Sequence, residues 1–199
     1  MKIISFEGFE YSGKSTQIKL LQNYFKKNKI KSTFTREPGG NKELEKIRKI
    51  ILQSDFDNLS LILFFFASRF SLLSSMKTKN LVVFDRFFDS TYAYQKITSK
   101  DKLLILNLIN QIEKKYIPTI TFYFKINKTT LLERKKMRGE KNFFDKKYAS
   151  HFTRIQKNYD EIAKIKVGKR KFITIDANKP KDTVHKEIIE NLKRCKLIR

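Results

Sequence analysis

Ile3-Ile4-Ser5-Phe6-Glu7-Gly8-Phe9-Glu10-Tyr11-Ser12-Gly13-Lys14-Ser15-Thr16 is the stretch around which the chain is organised. Ile3-Ile4 reads as the start of a buried strand, and Ile18, Leu20, Leu21 and Phe25 are spaced along one face of a helix. Gly8 to Ser15 between them satisfies G-x-x-x-x-G-K-[ST] in its required setting of strand, loop and helix. In such a loop, backbone N–H groups and the following helix N-terminus point at phosphate oxygens. Gly8 and Gly13 permit backbone angles and close approach that a Cβ would hinder. Lys14 would bring a charge to the β- and γ-phosphates, and Ser15 a hydroxyl to Mg²⁺. The competing reading is a glycine turn before an ordinary helix. The complete pattern in its proper place speaks against it.

Working outward, the 199 residues suggest one domain with a substantial core. No run of about 18 apolar residues occurs, so no membrane span is expected. Glu7 and Glu10 interrupt the N-terminal apolar stretch, so no secretory signal is expected either. A lone cysteine, Cys195, suits a reducing cytoplasm, and His151 and His185 lie apart without neighbouring cysteines, which argues against zinc and for ordinary helix-surface positions. The formal net charge of +24 has two readings. Nucleic-acid binding is one. Compositional drift is the other and is preferred, because lysine far outnumbers arginine and is scattered over almost every segment. Attraction for anionic nucleotides would be a by-product.

Further along, Ser32–Thr35 reads as a second strand, running into the Pro- and Gly-punctuated loop Arg36–Gly40. Leu44, Ile47, Ile50 and Ile51 mark a short amphipathic helix, and Leu61–Leu73 a buried one. Leu81–Phe84 is an apolar run of strand length ending in Asp85-Arg86. An acid at the carboxyl end of a core strand is where a nucleotide-binding α/β sheet places its Mg²⁺ partner. Helices are expected through Tyr92–Gln95 and around Leu103–Ile112, and strands at Ile120–Phe124 and Phe172–Asp176. A long helical stretch through Tyr159 and Ile162 and a final helix bearing Val184, Ile188 and Leu192 complete the chain. Strands alternating with helices predict a parallel sheet covered on both faces. The basic segment 134–147 is the candidate lid.

The order Thr35-Arg36-Glu37-Pro38-Gly39-Gly40, Glu45-Lys46-Ile47-Arg48, Phe65 to Arg69, then Asp85-Arg86-Phe87 with Ser90-Thr91-Tyr92-Ala93-Tyr94-Gln95, resembles the thymidylate kinase family. The resemblance runs from the first strand to the Asp176 loop. It implies an α/β P-loop fold like that of nucleoside monophosphate kinases, with a five-stranded parallel sheet, helices on both faces and a small lid. It implies a single kinase domain over 1–199 that moves the γ-phosphoryl of ATP to dTMP, giving dTDP and ADP for dTTP biosynthesis. Gly8, Phe9, Glu10, Tyr11, Ser12, Gly13, Lys14, Ser15 and Thr16 would cradle the ATP phosphates, with Mg²⁺ at Ser15 and Asp85. Arg86 would clamp the acceptor or transferred phosphate. Arg36 and Arg48 would lie along the dTMP phosphate, beside Glu37 and Pro38. Glu10 is similar to the family residue that reaches the deoxyribose 3′-OH. Phe65 would stack on thymine. Arg69 would bond a thymine carbonyl, Thr91 and Gln95 would complete the base edge, and Tyr94 would crowd C2′. The family's homodimers lead us to expect a homodimer.

Physical reasoning agrees on charge, because two phosphorylated nucleotides meeting end to end require cations and positioning. Arginine is scarce here, so where it persists a planar fork is implied. Two departures stand out. Tyr11 occupies a position that is usually small in the family, and the family's D-R-x-E lid stretch is replaced by Asn142-Phe143-Phe144-Asp145. Arg134 and Arg138, with help from Lys141, are therefore expected to supply the catalytic cations alongside Lys14, Arg86 and Asp85. Adenine is expected against Arg134 and the Asp176–Asn178 loop. The alternatives are a kinase of another monophosphate or of a nucleoside, and a nucleic-acid-binding P-loop ATPase. The second is disfavoured because no basic stripe is present.

Overall fold

Leu81-Val82-Val83-Phe84 is apolar without alternation because both faces of its strand are covered, and the same holds across the middle of the sheet. In the computed structural model, which describes residues 1–78, 80–138 and 150–199, five strands pair in the order β2-β3-β1-β4-β5. They are β1 (Lys2–Gly8), β2 (Ser32–Arg36), β3 (Leu81–Asp85), β4 (Ile120–Lys125) and β5 (Lys171–Asp176). Every pairing is parallel. Consecutive residues of β1, β3 and β4 are buried, as expected of central strands, whereas β2 and β5 at the edges are only partly covered. The registers Phe6↔Asp85 and Gly8↔Phe124 stagger the carboxyl ends of the three central strands, β3 stopping two residues before β1 and β4 running one residue past it. The loops leaving them converge there, as open parallel sheets require.

Among the described residues the helices are α1 (Lys14–Lys27), α2 (Lys42–Gln53), α3 (Asn58–Ser75), α4 (Phe88–Gln95), α5 (Ser99–Asn110), α6 (Lys128–Arg138), α7 (Phe152–Ile162) and α8 (Lys181–Arg194). α1 packs with α8, while α4 packs with α3, α5 and α7. Side-chain caps mark the starts of α2, α3 and α5: Asn41 accepts from Leu44 N–H at 2.9 Å, Asp57 caps α3, and Thr98 with Asp101 forms a capping box on α5.

α3 has 18 residues and a mean hydropathy of 1.4, enough by length and composition to cross a membrane. It is instead a core helix, with Leu61, Ile62, Phe65, Phe66, Leu72 and Leu73 buried. It passes straight through Arg69, because that cation is paired inside the fold. α4 shows no amphipathic periodicity, since all of its residues except Ser90 are buried. His185 departs from the surface position expected for it. It is half-buried, its ring meets Tyr24 edge-on at 6.2 Å between centroids, and burial lowers its pKa. The basic segment begins inside α6, so Arg134 is helical rather than part of a loop. The remainder of the expected lid, with Lys141 and Asn142–Asp145, lies outside the described residues, as does the Arg138 side chain.

Candidate functional site

The loop from Gly8 to Lys14 leaves β1 and turns through two glycines with positive φ, 142° at Gly8 and 92° at Gly13. A Cβ at Gly8 would sit 2.7 Å from the Phe124 carbonyl oxygen, so the close approach of loop and β4 requires glycine there. Tyr11 also takes positive φ, 62°, and its carbonyl accepts from Arg134 Nη1 at 3.2 Å. α1 begins without a side-chain cap and without an acid in its first turn, the form that a phosphate-binding helix N-terminus takes. Lys14 Nζ donates to the carbonyls of Gly8 and Phe9, each at 2.7 Å. Burial, and then the Arg86 guanidinium, bring its pKa down to about 7.

Arg86 follows β3 with φ 71°, a disfavoured region for any side chain. Its Nη1 donates to Gly8 O at 3.1 Å and Ser90 Oγ at 3.0 Å, and its Nη2 to Glu10 at 2.7 Å. The guanidinium lies 5.2 Å from the Tyr94 ring centroid, and Tyr94 donates its own hydroxyl to Glu10 at 2.6 Å. Burial works against the charge, yet Tyr94, Glu10, Tyr159 and Asp85 around it hold Arg86 protonated. Lys14 and Arg86 thus meet on one carbonyl oxygen, that of Gly8.

From this point a cleft of about 340 Å³ runs between the loop, α2, α3 and α4. Glu10, Tyr11, Ser12, Gly13, Lys14, Ser15, Glu37, Pro38, Arg48, Phe65, Arg69, Asp85, Arg86, Thr91, Tyr94 and Gln95 all line it. Most residues expected from sequence are therefore brought together. Arg36 does not line the cleft: its guanidinium forks onto Glu45 at 3.0 and 2.7 Å in an exposed position. Gly8 and Phe9 also lie off the lining, Phe9 packing edge-on against Phe152, and Thr16 lines a neighbouring pocket. Arg48 is anchored by a 2.7 Å bond to Pro38 O, and burial, then Arg36, lowers its pKa.

At the far end Arg69 is only 2 % exposed, and stands over the Phe66 and Phe87 rings. Its Nε donates to Glu37 at 2.6 Å and its Nη2 to Thr91 at 3.1 Å. Arg69 Nη1 and the second Glu37 oxygen are buried with no hydrogen-bond partner among the described residues. Burial raises the Glu37 pKa to about 7 despite Arg69 beside it. Asn58 donates to Gln95 O at 2.8 Å and so ties the end of α4 to the start of α3.

A second pocket of about 170 Å³ opens on the other side of the loop, lined by Ser12, Gly13, Thr16, Arg134, Ala177 and Lys179 among others. Arg134 Nη2 donates to Ala177 O at 2.8 Å, so this arginine bridges the loop and the β5–α8 turn. For a hard cation such as Mg²⁺, the Ser15 hydroxyl and the Asp85 carboxylate that line the cleft are the appropriate donor types.

Sequence reasoning overlooked the second layer. Glu7 is buried beneath the loop, and burial, then the Asp89 carboxylate, raises its pKa. Asp89 accepts both 2.7 Å bonds from Arg170 Nη1, and Arg170 is sandwiched between Phe88 and Phe172. From α7, Asn158 donates to Ala93 O and Lys96 O, and Arg154 to Tyr94 O. A charged residue directly after the opening Ile3–Phe6, still within the strand, was the signal available for Glu7, since a buried acid needs partners.

A phosphate loop after the central strand of a parallel sheet, with a basic cleft on one side and a smaller pocket on the other, defines a P-loop nucleotide kinase of the nucleoside monophosphate kinase type. The chain belongs to the thymidylate kinase family, whose model matches residues 6–188. It is 37% identical to a thymidylate kinase of Wolbachia pipientis subsp. Culex pipiens, covering 97% of this chain and 96% of that one. It is 33% identical to that of Chlorobium phaeobacteroides, covering 98% and 95%. The crystal structure of thymidylate kinase from Ehrlichia chaffeensis superposes with a TM-score of 0.71 at 29% identity, covering 96% of this chain and 98% of that one.

Proposed function

We propose that this chain acts as one P-loop kinase domain over 1–199, transferring the γ-phosphoryl of ATP to dTMP to give dTDP and ADP. The observation that carries the reading is the meeting of Lys14 and Arg86 on the Gly8 carbonyl, in the loop whose Ser12 and Gly13 line both pockets. Positive charge concentrated there suits the point where two phosphate chains join. The loop N–H groups and Lys14 bind the donor phosphates, while Arg134 and the Ala177 turn flank adenine. Arg48, with Arg36 at the rim, attracts the acceptor phosphate, and Arg86 aligns it. A dTMP phosphate oxygen forms the new bond to the γ-phosphorus as the bond to the ADP oxygen breaks. Mg²⁺, held by Ser15 and Asp85, would neutralise charge on the transferred group. Arg134 and Arg138 are the cations assigned to the α6 side.

The acceptor base is read by shape and by polarity. Phe65 offers a flat apolar face, and Arg69 Nη1 a buried N–H that matches a 4-carbonyl and mismatches the amine of cytosine. Thr91 and Gln95 flank it, and Glu10 with Tyr94 crowds the sugar. A homodimer is the assembly we propose, through Ile47, Ile50, Leu59, Leu63 and Phe64, which leave apolar surface exposed on α2 and α3. The compartment is the cytoplasm, and nucleic acid is not a partner in this reading. The test is release of ADP with Mg²⁺ and ATP across dTMP, dUMP, CMP and AMP. Turnover fastest with dTMP supports the reading, and turnover of another monophosphate but not dTMP rejects it.

A further inference from the structure

Glu7 has no surface exposure, and its three hydrogen-bond donors among the described residues all border Arg86. Phe87 N–H, the next peptide after Arg86, donates to Glu7 Oε1 at 2.6 Å. The Ser90 hydroxyl donates to Oε2 and accepts from Arg86 Nη1 at 3.0 Å. The Tyr159 hydroxyl, from α7, lies 3.3 Å from Oε2 and 3.5 Å from the same Arg86 nitrogen. The Arg86 N–H itself is tied to Phe6 O at 3.0 Å. The left-handed turn at Arg86 is therefore held from β1 on both sides, through Phe6 and Glu7. Packing alone does not call for a carboxylate here, because the buried cation nearby, Arg170, is already taken by Asp89.

We infer that Glu7 is the positioning residue for Arg86, fixing its backbone turn and aiming the Ser90 and Tyr159 hydroxyl oxygens at its guanidinium. Against burial and Asp89, the Ser90 and Phe87 hydrogen bonds and the Arg86 charge favour the ionised form. In that form the carboxylate draws the hydroxyl hydrogens toward itself and leaves their lone pairs facing the Arg86 N–H groups. An amide in its place keeps the size but turns one acceptor into a donor, which drives a hydroxyl hydrogen toward the guanidinium. Because only the phosphoryl in flight needs Arg86 at its final position, the loss should fall on kcat rather than on KM. The inference rests on the kinase reading, though not on the identity of the acceptor base.

The test is a set of double-mutant cycles in the full chain. Steady-state kinetics with ATP and dTMP are measured for the wild type, Glu7→Gln, Tyr159→Phe, Arg86→Ala, and each of the first two combined with Arg86→Ala. Arg86→Ala is expected to lower kcat by about 10²–10³-fold, as loss of a transition-state donor does. Glu7→Gln should lower it by about tenfold, with both KM values within about threefold, since small misplacement of a reacting group is costly. In the Arg86→Ala background, Glu7→Gln and Tyr159→Phe should each change kcat by less than about twofold, because the group they hold is gone. Equal fractional losses in both backgrounds, or a raised KM with unchanged kcat, would overturn the assignment. If Glu7→Gln does not fold, Tyr159→Phe, which removes a single hydroxyl, carries the same cycle with the same criteria. A wild type that turns over another monophosphate rejects the dTMP reading alone, and the cycles are then run with that acceptor.

Discussion

Binding of ATP should draw a proton from solution at mildly alkaline pH, and Lys14 sets the amount. Unfolded, this lysine keeps its proton up to the ordinary 10.5, whereas in the folded protein burial and Arg86 bring it down to about 7. Between these values the unfolded state binds more protons than the folded one, so the stability of the nucleotide-free protein gains from this group as pH rises. The nucleotide has the opposite effect. Phosphate oxygens beside Nζ favour the charged form and return the pKa toward its ordinary range. At pH 8 a group with a pKa near 7 is about one-tenth protonated, so binding should take up about 0.9 proton, against about 0.1 at pH 6. Affinity for ATP should accordingly weaken by up to about tenfold per pH unit above 8. The assay is calorimetric titration of ATP in two buffers of different ionisation enthalpy, with Lys14→Arg as control, because arginine does not titrate there. Uptake near zero at pH 8 in the wild type, or equal uptake in Lys14→Arg, would refute the reasoning.

Arg170→Met should cost about 3–5 kcal/mol, read as a loss of roughly 10 °C in Tm, by leaving buried Asp89 unpaired. Adding Asp89→Asn should restore part of it, and a single-variant loss below about 1 kcal/mol would show that the pair is not needed. Gly8→Ala forces a Cβ to 2.7 Å from Phe124 O at φ 142°, so urea denaturation should show about 1–3 kcal/mol of destabilisation. On the proposed reading, Arg69→Met removes the buried N–H that would separate a carbonyl from an amine at the base. The preference for dTMP over dCMP in kcat/KM should narrow by about 10–100-fold, and an unchanged ratio would place base recognition elsewhere.

Wherever a local signal had a physical cause confined to neighbouring residues, the chain was readable. The buried run Leu81–Phe84, the glycines of the phosphate loop and the amphipathic faces of α1, α2 and α8 are of this kind. The site residues on α3 and α4 were legible only through family resemblance, because a helix buried all round, as α4 is, carries no periodicity to mark which side chain faces a cleft. The order β2-β3-β1-β4-β5 and the pairing of Arg170 with Asp89, 81 residues apart, depend on which segments meet in space. Composition does not record this. The same limit applies to Glu7. Its charge was visible, but its donors come from Phe87, Ser90 and Tyr159, far along the chain. Arg36 was expected along the dTMP phosphate, and nothing local marked it as the exposed partner of Glu45, a fork set by how the loop after β2 enters α2.

The scarcity of arginine turns out to be the strongest clue in the composition. Ten arginines stand against thirty-four lysines. A surface needs only charge, and the two residues serve equally there, so drift toward lysine costs the fold little. Of the seven arginines from Arg36 to Arg170 whose side chains are described, six make two or more hydrogen bonds from one guanidinium, which a single ammonium does poorly. Arg36 forks onto Glu45, Arg48 holds Pro38 O, Arg69 spans Glu37 and Thr91, and Arg86 spans Gly8, Ser90 and Glu10. Arg134 ties two loops together, Arg154 reaches the end of α4, and Arg170 grips Asp89 between two rings. Each joins groups from different elements in a fixed plane, and most border the clefts. The high net charge and the catalytic architecture therefore have separate origins, the first in exchangeable lysines and the second in forks that lysine cannot replace. Replacing surface lysines should thus leave the geometry around Gly8 intact, whereas a single Arg→Lys change at Arg69 or Arg86 should disrupt it while preserving charge.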